Sequence, residues 1–224
     1  MVGVRTIVLA IVLTGVQTGV QTDVQTKVQT DVQTDVQTDV QTDVQTDVQT
    51  NVVVVIDTSV GSIDVEIDAT HAPISAANFL KYVDAKMYDG GRFHRAVRLD
   101  NQARKDVLIE VIQGGRDPEQ SKTIRGFGPI PLERTSATSL KHVDGAISMA
   151  RGNTADSASS DFFLCVGPQP SLDFGGARAA DGQGFAAFGR VVKGMDVVRK
   201  IHAGATNNSE ALLAPVTIAR IYRR

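Results

Sequence analysis

The chain has 224 residues, enough for one domain or at most two, with 42% hydrophobic and 21% charged residues, values ordinary for a soluble globular protein. Its formal charge is −2, and from Asn51 onward 21 Lys/Arg stand against 19 Asp/Glu, a balance that excludes the strongly basic footprint of a nucleic-acid binder. A single cysteine, Cys165, excludes an internal disulfide framework.

Residues 1–15 read as a signal-peptide-like leader. Arg5 precedes the apolar run IVLAIVL (7–13), which is too short to span a membrane. The expectation is a periplasmic or secreted protein, with a cytoplasmic or leader-anchored chain as the alternative. From Val16 to Thr50 the triplet VQT occurs nine times at a four-residue period. Val, Thr and Asp are poor helix formers, and 35 residues are too many for one strand, so this low-complexity repeat reads as a disordered spacer. Edge-to-edge self-association is its rival, opposed by the Asp that recurs through the repeat.

The third segment, residues 51–224, reads as a folded domain. VVVVI (52–56) and SIDVEID (62–68) form a hairpin, the second strand alternating apolar and acidic positions. A helix opens near Pro73, with Ile74, Ala77, Leu80 and Val83 on one face, and stops at Gly90-Gly91. Strands follow at RFHRAVR (92–98) and VLIEVIQ (107–113), separated by the polar loop LDNQARKD. Further strands lie at GAISMA (145–150), FFLCV (162–166), FAAFGRVV (185–192) and VTIARIY (216–222), with a second helix at VKGMDVVRKI (192–201). Many short strands, Gly-rich turns and two helices predict a mainly β protein: a closed or nearly closed barrel with helices at its ends.

No metal-ligand spacing links the four histidines and Cys165, and the buried-looking run around Cys165 favours an inert thiol. No G-x-S-x-G elbow is present, and GFG (126–128) lacks the context of a dinucleotide fingerprint. In GGRFHRAVR (90–98), alternation puts Arg92 and His94 on the face opposite Arg95, leaves Arg98 solvated at the strand end and makes His94 a packed, hydrogen-bonded residue.

Five motifs in order, FHR (93–95), VIQGG (111–115), HVDGAISMA (142–150), SDFFLCV (160–166) and GFAAFGRVVKGMDVV (184–198), resemble the cyclophilins, and bacterial ones in particular. The resemblance covers about Val52 to Arg224. It implies a closed eight-stranded antiparallel barrel capped by two α-helices and a peptidyl-prolyl cis-trans isomerase that needs no cofactor and no metal. Arg95 falls on the family's catalytic arginine. Val111, Gln113, Ala150, the backbone of Arg151, Phe163, Leu172 and Phe185 fall on its substrate-binding positions. The implied partners are proline-containing segments of unfolded or folding proteins, met by a monomer; the alternative is a proline-segment binder without useful turnover. The chain departs from the family in the 15 residues between FHR and VIQGG (96–110). It also carries Glu110 where relatives have an aromatic, with Ile109 as the candidate substitute.

Overall fold

The computed structural model describes residues 52–224; the leader and repeat readings concern residues outside that range. Among the described residues eight strands occur: β1 (Val52–Thr58), β2 (Gly61–Ile67), β3 (Arg92–Val97), β4 (Val111–Gly115), β5 (Ala146–Met149), β6 (Phe162–Cys165), β7 (Ala186–Lys193) and β8 (Ala211–Arg223). They close into one antiparallel barrel in the order β1-β2-β7-β5-β6-β4-β3-β8. The expected barrel is therefore present, and closure leaves no open sheet edge.

Side chains alternate between two separate apolar clusters. The inward set fills the barrel: Ile56, Ile63, Ile67, Phe93, Ile112, Ile147, Phe162 and Phe188 are fully buried there. A second cluster, with Val97, Val111, Phe163, Cys165 and Leu172, lies against the barrel's outer wall. Adjacent residues thus serve different layers: Ile112 and Phe162 pack inward, Val111 and Phe163 outward.

Two longer helices, α1 (Pro73–Asp84) and α4 (Met195–His202), pack on the barrel as expected, joined by the short α2 (Pro118–Thr123) and α3 (Thr135–Thr138). Helix α1 has no side-chain cap of its own. The Glu133 carboxylate accepts from the backbone N–H groups of Ile74 (2.9 Å) and Ser75 (2.7 Å), which also places negative charge at the positive end of the helix dipole.

Two expectations for α1 need correction. Leu80 and Val83 are buried as expected, but Ile74 and Ala77 are exposed, and Ala76, Phe79 and Tyr82 complete the buried face, with Phe79 meeting Phe162 edge-on at 5.4 Å. The helix also stops at Asp84, not at the glycines. Lys86 adopts φ 53°, with Lys86 N–H bonded to Val83 O (2.9 Å) and Met87 N–H to Tyr82 O (3.0 Å). That is a Schellman ending with lysine where glycine is usual, so the sequence carries no stop signal there.

Strand β4 begins four residues later than expected. The side-chain amide of Gln102, itself 1% exposed, accepts from Ile109 N–H (3.2 Å) and donates to Ile109 O (3.0 Å). It thereby takes the place of a neighbouring strand. The polar loop is anchored by this residue. Arg98, expected to be solvated, is not: its Nη1 donates to the carbonyls of His202 (3.2 Å) and Gly204 (2.7 Å), closing the C-terminal end of α4.

Candidate active site

Strand β3 carries a bulge. Phe93 pairs with Gly114, but Arg95 pairs with Gln113, leaving His94 as the extra residue. Without the bulge, Arg95 would share the inward face of Phe93. With it, Phe93 fills the core while Arg95 points to the outer wall. Arg92, partner of Gly115, therefore lies on the same side as Arg95, against the alternation expected from a regular strand. His94 is half-buried at the bulge, and its ring makes no hydrogen bond among the described residues.

The pairing of β3, β4, β6 and β5 then sets Arg95, Gln113, Phe163 and Ser148 in one row across the barrel wall. Above this row lies a cavity of about 190 Å³. That is below the roughly 300–1,000 Å³ of sites for drug-sized ligands and suits one ring or side chain. All eight residues named from the sequence line it: Arg95, Val111, Gln113, Ala150, Arg151, Phe163, Leu172 and Phe185. Ile109 lines it as well, supplying the apolar wall beside the half-buried Glu110.

Each wall is braced from behind. Phe163 meets Phe185 edge-on at 5.7 Å and stacks on the His142 ring at 5.9 Å. His142 in turn contacts Asp173 (2.8 Å) and Ser148 (3.0 Å) through its two ring nitrogens. Burial alone would raise the Asp173 carboxyl, but hydrogen bonds from the His142 ring and backbone N–H outweigh it and hold it below its ordinary value. Leu172 sits on a 3-10 turn (Pro170–Leu172) and its carbonyl accepts from Phe185 N–H at 2.9 Å. Gly184 makes that close approach possible. Its φ is 69°, and a Cβ there would lie 2.6 Å from the Asp173 backbone.

The Arg151 side chain is 2% exposed, bonded to Gly184 O (2.8 Å) and Asp181 (2.7 Å), so what this half-buried residue shows to solvent is its main chain. Arg95 is held differently. Its Nε (2.9 Å) and Nη2 donate to one oxygen of Glu210, and Nη1 donates to Gln113 Oε1 (3.0 Å). The Arg95 side chain stays 35% exposed and that of Glu210 only 11%. Five donors minus these three contacts leave the guanidinium two N–H groups for a ligand.

Glu210, Gln102, Arg178 and His142 were not found by sequence reasoning. Glu210 adopts φ 63°, a left-handed conformation costing about 1–3 kcal/mol for such a residue. Asn207 offsets this cost by bonding the N–H groups of Ser209, Glu210 and Ala211. The tripeptide Asn207-Asn208-Ser209 is the one available hint, because Asn favours such turns.

Cys165 packs behind the cavity, fully buried. Burial, with Asp173 and Asp144 nearby, pushes its thiol far above the ordinary value, so the reactive thiolate does not form near neutrality. A thiol-specific colour reagent should leave the native chain unlabelled over hours and react once with chain unfolded in guanidinium. Rapid native labelling would contradict this burial.

The family model of the cyclophilin type peptidyl-prolyl cis-trans isomerases matches residues 53–223. Peptidyl-prolyl cis-trans isomerase A of Dickeya dadantii is 36% identical over 155 residues, 69% of this chain and 73% of that protein. Peptidyl-prolyl cis-trans isomerase B of Escherichia coli is 31% identical over 157 residues, 70% of this chain and 88% of that protein. Among solved structures, a Cryptosporidium parvum cyclophilin type isomerase in the presence of the dipeptide Ala-Pro shares the fold. It has a TM-score of 0.61 at 21% identity, covering 77% of this chain and 98% of that one.

Proposed function

The chain belongs to the cyclophilin-type peptidyl-prolyl cis-trans isomerases, and on that premise we propose that its cavity holds the proline of an X-Pro bond while Arg95 assists the twist. The barrier to rotation, about 18–20 kcal/mol, comes from lost amide resonance. As the bond twists, the prolyl nitrogen becomes pyramidal and regains a lone pair. A donor aimed at that nitrogen binds the twisted state better than the planar one, and only such a difference accelerates the step. Guanidinium suits this because it stays charged, offers a rigid fork of donors and does not act as a base.

In this reading Val111, Ile109, Phe163 and Leu172 grip the pyrrolidine ring, with Phe185 at the rim. Gln113 and the main chain near Ala150 and Arg151 hold the peptide backbone, so that the acyl side turns against a fixed ring. The observation that carries the reading is the row Arg95–Gln113–Phe163, which sets donor, backbone anchor and ring wall side by side over one small cavity. The leader-like residues 1–15 support an exported setting, where the substrates are proline-containing segments of folding proteins and the chain acts as a monomer.

Glu210 acts through Arg95 as a positioning residue. Glu210→Gln, isosteric but uncharged, should lower kcat about three- to tenfold, roughly 0.7–1.4 kcal/mol, with KM nearly unchanged. The Arg95 Nε–H resonance should shift and exchange faster with water in the same variant. An unaltered resonance beside an unaltered kcat would remove Glu210 from the mechanism, and loss of the native Nε–H signal in Gln113→Ala instead would assign the role to Gln113.

A further inference from the structure

The cavity carries more positive charge than its ion pairs cancel. Arg95 is matched by Glu210 and Arg151 by Asp181, whereas Arg178, also in the lining, forms no ion pair among the described residues. Its Nη1 donates only to neutral acceptors, Gln102 Oε1 (3.0 Å) and the Val107 carbonyl (2.8 Å). Nε and Nη2 have no protein acceptor among the described residues, which leaves one edge of the fork for a ligand. Burial lowers the Arg178 pKa, the Glu210 charge raises it, and Arg95 and Arg104 lower it again; a guanidinium in such surroundings still carries its charge near neutrality.

This arginine is also pinned. Its N–H donates to Ser171 O at 3.1 Å, beside Leu172, and its carbonyl accepts from Arg104 Nη1 at 2.9 Å. Arg104, Gln102 and Val107 all belong to residues 96–110, the stretch expanded relative to the family. A side chain fixed at both ends loses little conformational entropy when a ligand arrives, so more of its charge attraction reaches the binding free energy. The expanded loop thus builds a seat for a cation at the side of the cavity lined by Ile109 and Leu172.

We propose that Arg178 makes this protein selective for prolines flanked by an acidic side chain, the Asp or Glu carboxylate accepting from the free edge of its guanidinium. The proposal rests on the isomerase reading of the cavity and adds the substrate class to it. A carboxylate is the fitting partner because it completes the charge balance of a partly desolvated site and accepts two parallel N–H bonds from the fork.

The test uses the full chain and short Ala-Pro peptides bearing Glu, Gln or Lys immediately before or immediately after the dipeptide. The readout is the ratio of kcat/KM for Glu over Gln peptides within each protein, which is insensitive to a general loss of active enzyme. Wild type should favour Glu about fivefold at one of the two positions at low ionic strength, a ratio in the range of a partly screened ion pair. The ratio should shrink as salt shortens the Debye length to a few ångströms. Arg178→Met should bring it to one, and Arg178→Glu should invert the order so that Lys exceeds Gln. Equal Glu and Gln rates in wild type, or a preference that survives in Arg178→Met, overturns the proposal. If no peptide is turned over, the isomerase reading itself fails; dissociation constants of the same peptides, by fluorescence anisotropy, then decide the charge preference by the same ratios.

Discussion

Arg95→Ala should lower kcat/KM for a neutral Ala-Pro peptide by one to three orders of magnitude, roughly 1.4–4 kcal/mol of transition-state stabilisation. The lower bound is one ordinary charged hydrogen bond made only in the twisted state; the upper adds the loss of orientation at Gln113, which shares Nη1. A confounding effect is built into the site. Glu210 is 8% exposed, so removing its cation leaves a buried carboxylate unpaired, and that alone destabilises the barrel end. The double variant Arg95→Ala/Glu210→Gln relieves this charge. It should recover melting temperature without recovering activity, whereas return of activity in the double variant would place the chemistry elsewhere in the cavity.

Phe162 and Phe163 are neighbours on β6 with opposite fates, and their alanine variants should differ in kind. Phe162 is fully buried and meets Phe79, Tyr88 and Phe93 edge-on at 5.4, 5.5 and 5.8 Å. Phe162→Ala should cost about 3–5 kcal/mol of stability by lost transfer free energy and an unfilled cavity. That is a large share of the roughly 5–15 kcal/mol that holds a domain folded. Phe163 is also nearly buried, but against the outer cavity, stacked on His142. Phe163→Ala should cost less stability, because its space opens to solvent and can fill with water. It should cut kcat/KM by at least tenfold through a loosened ring pocket. Thermal melts and peptide turnover on both variants check the assignment; matching losses of stability would mean that the two rings do not serve separate layers.

Much of the barrel was legible because strand alternation is a direct image of two-sided burial. The run FFLC shows how far this reaches: parity sets Phe162 and Phe163 on opposite faces, and the family motif, not parity, marks Phe163 as the groove ring. Parity failed where the chain inserts a residue. Nothing in RFHRAV announces that His94 is the bulge, yet that insertion is what turns Arg95 outward. The face of α1 was read correctly at Leu80 and Val83 but not at its start. Ile74 and Ala77 keep helical spacing, but the barrel mouth is closed by the larger Phe79 and Tyr82 on the neighbouring stripe.

The cavity lining was legible through the family motifs rather than through periodicity, since Arg95, Gln113 and Phe163 come from three strands far apart in sequence. The supporting residues were hidden. Gln102, Arg178 and Glu210 lie in loops, where no period marks burial, and each gains its role from a contact with a distant segment. The departure from the family pattern read at residues 96–110 marked the place but not the purpose. Only the folded geometry brings Gln102 against Ile109 and Arg178 at once.

The most direct test of the role of Arg95 is exchange spectroscopy on an Ala-Pro peptide with a catalytic amount of the full chain. Without protein, cis and trans forms interconvert over tens to hundreds of seconds. Wild type should give cis–trans exchange cross-peaks at sub-second mixing times, and Arg95→Ala should lose them. Peptide resonances that shift on binding while the exchange rate stays at its uncatalysed value would contradict that role.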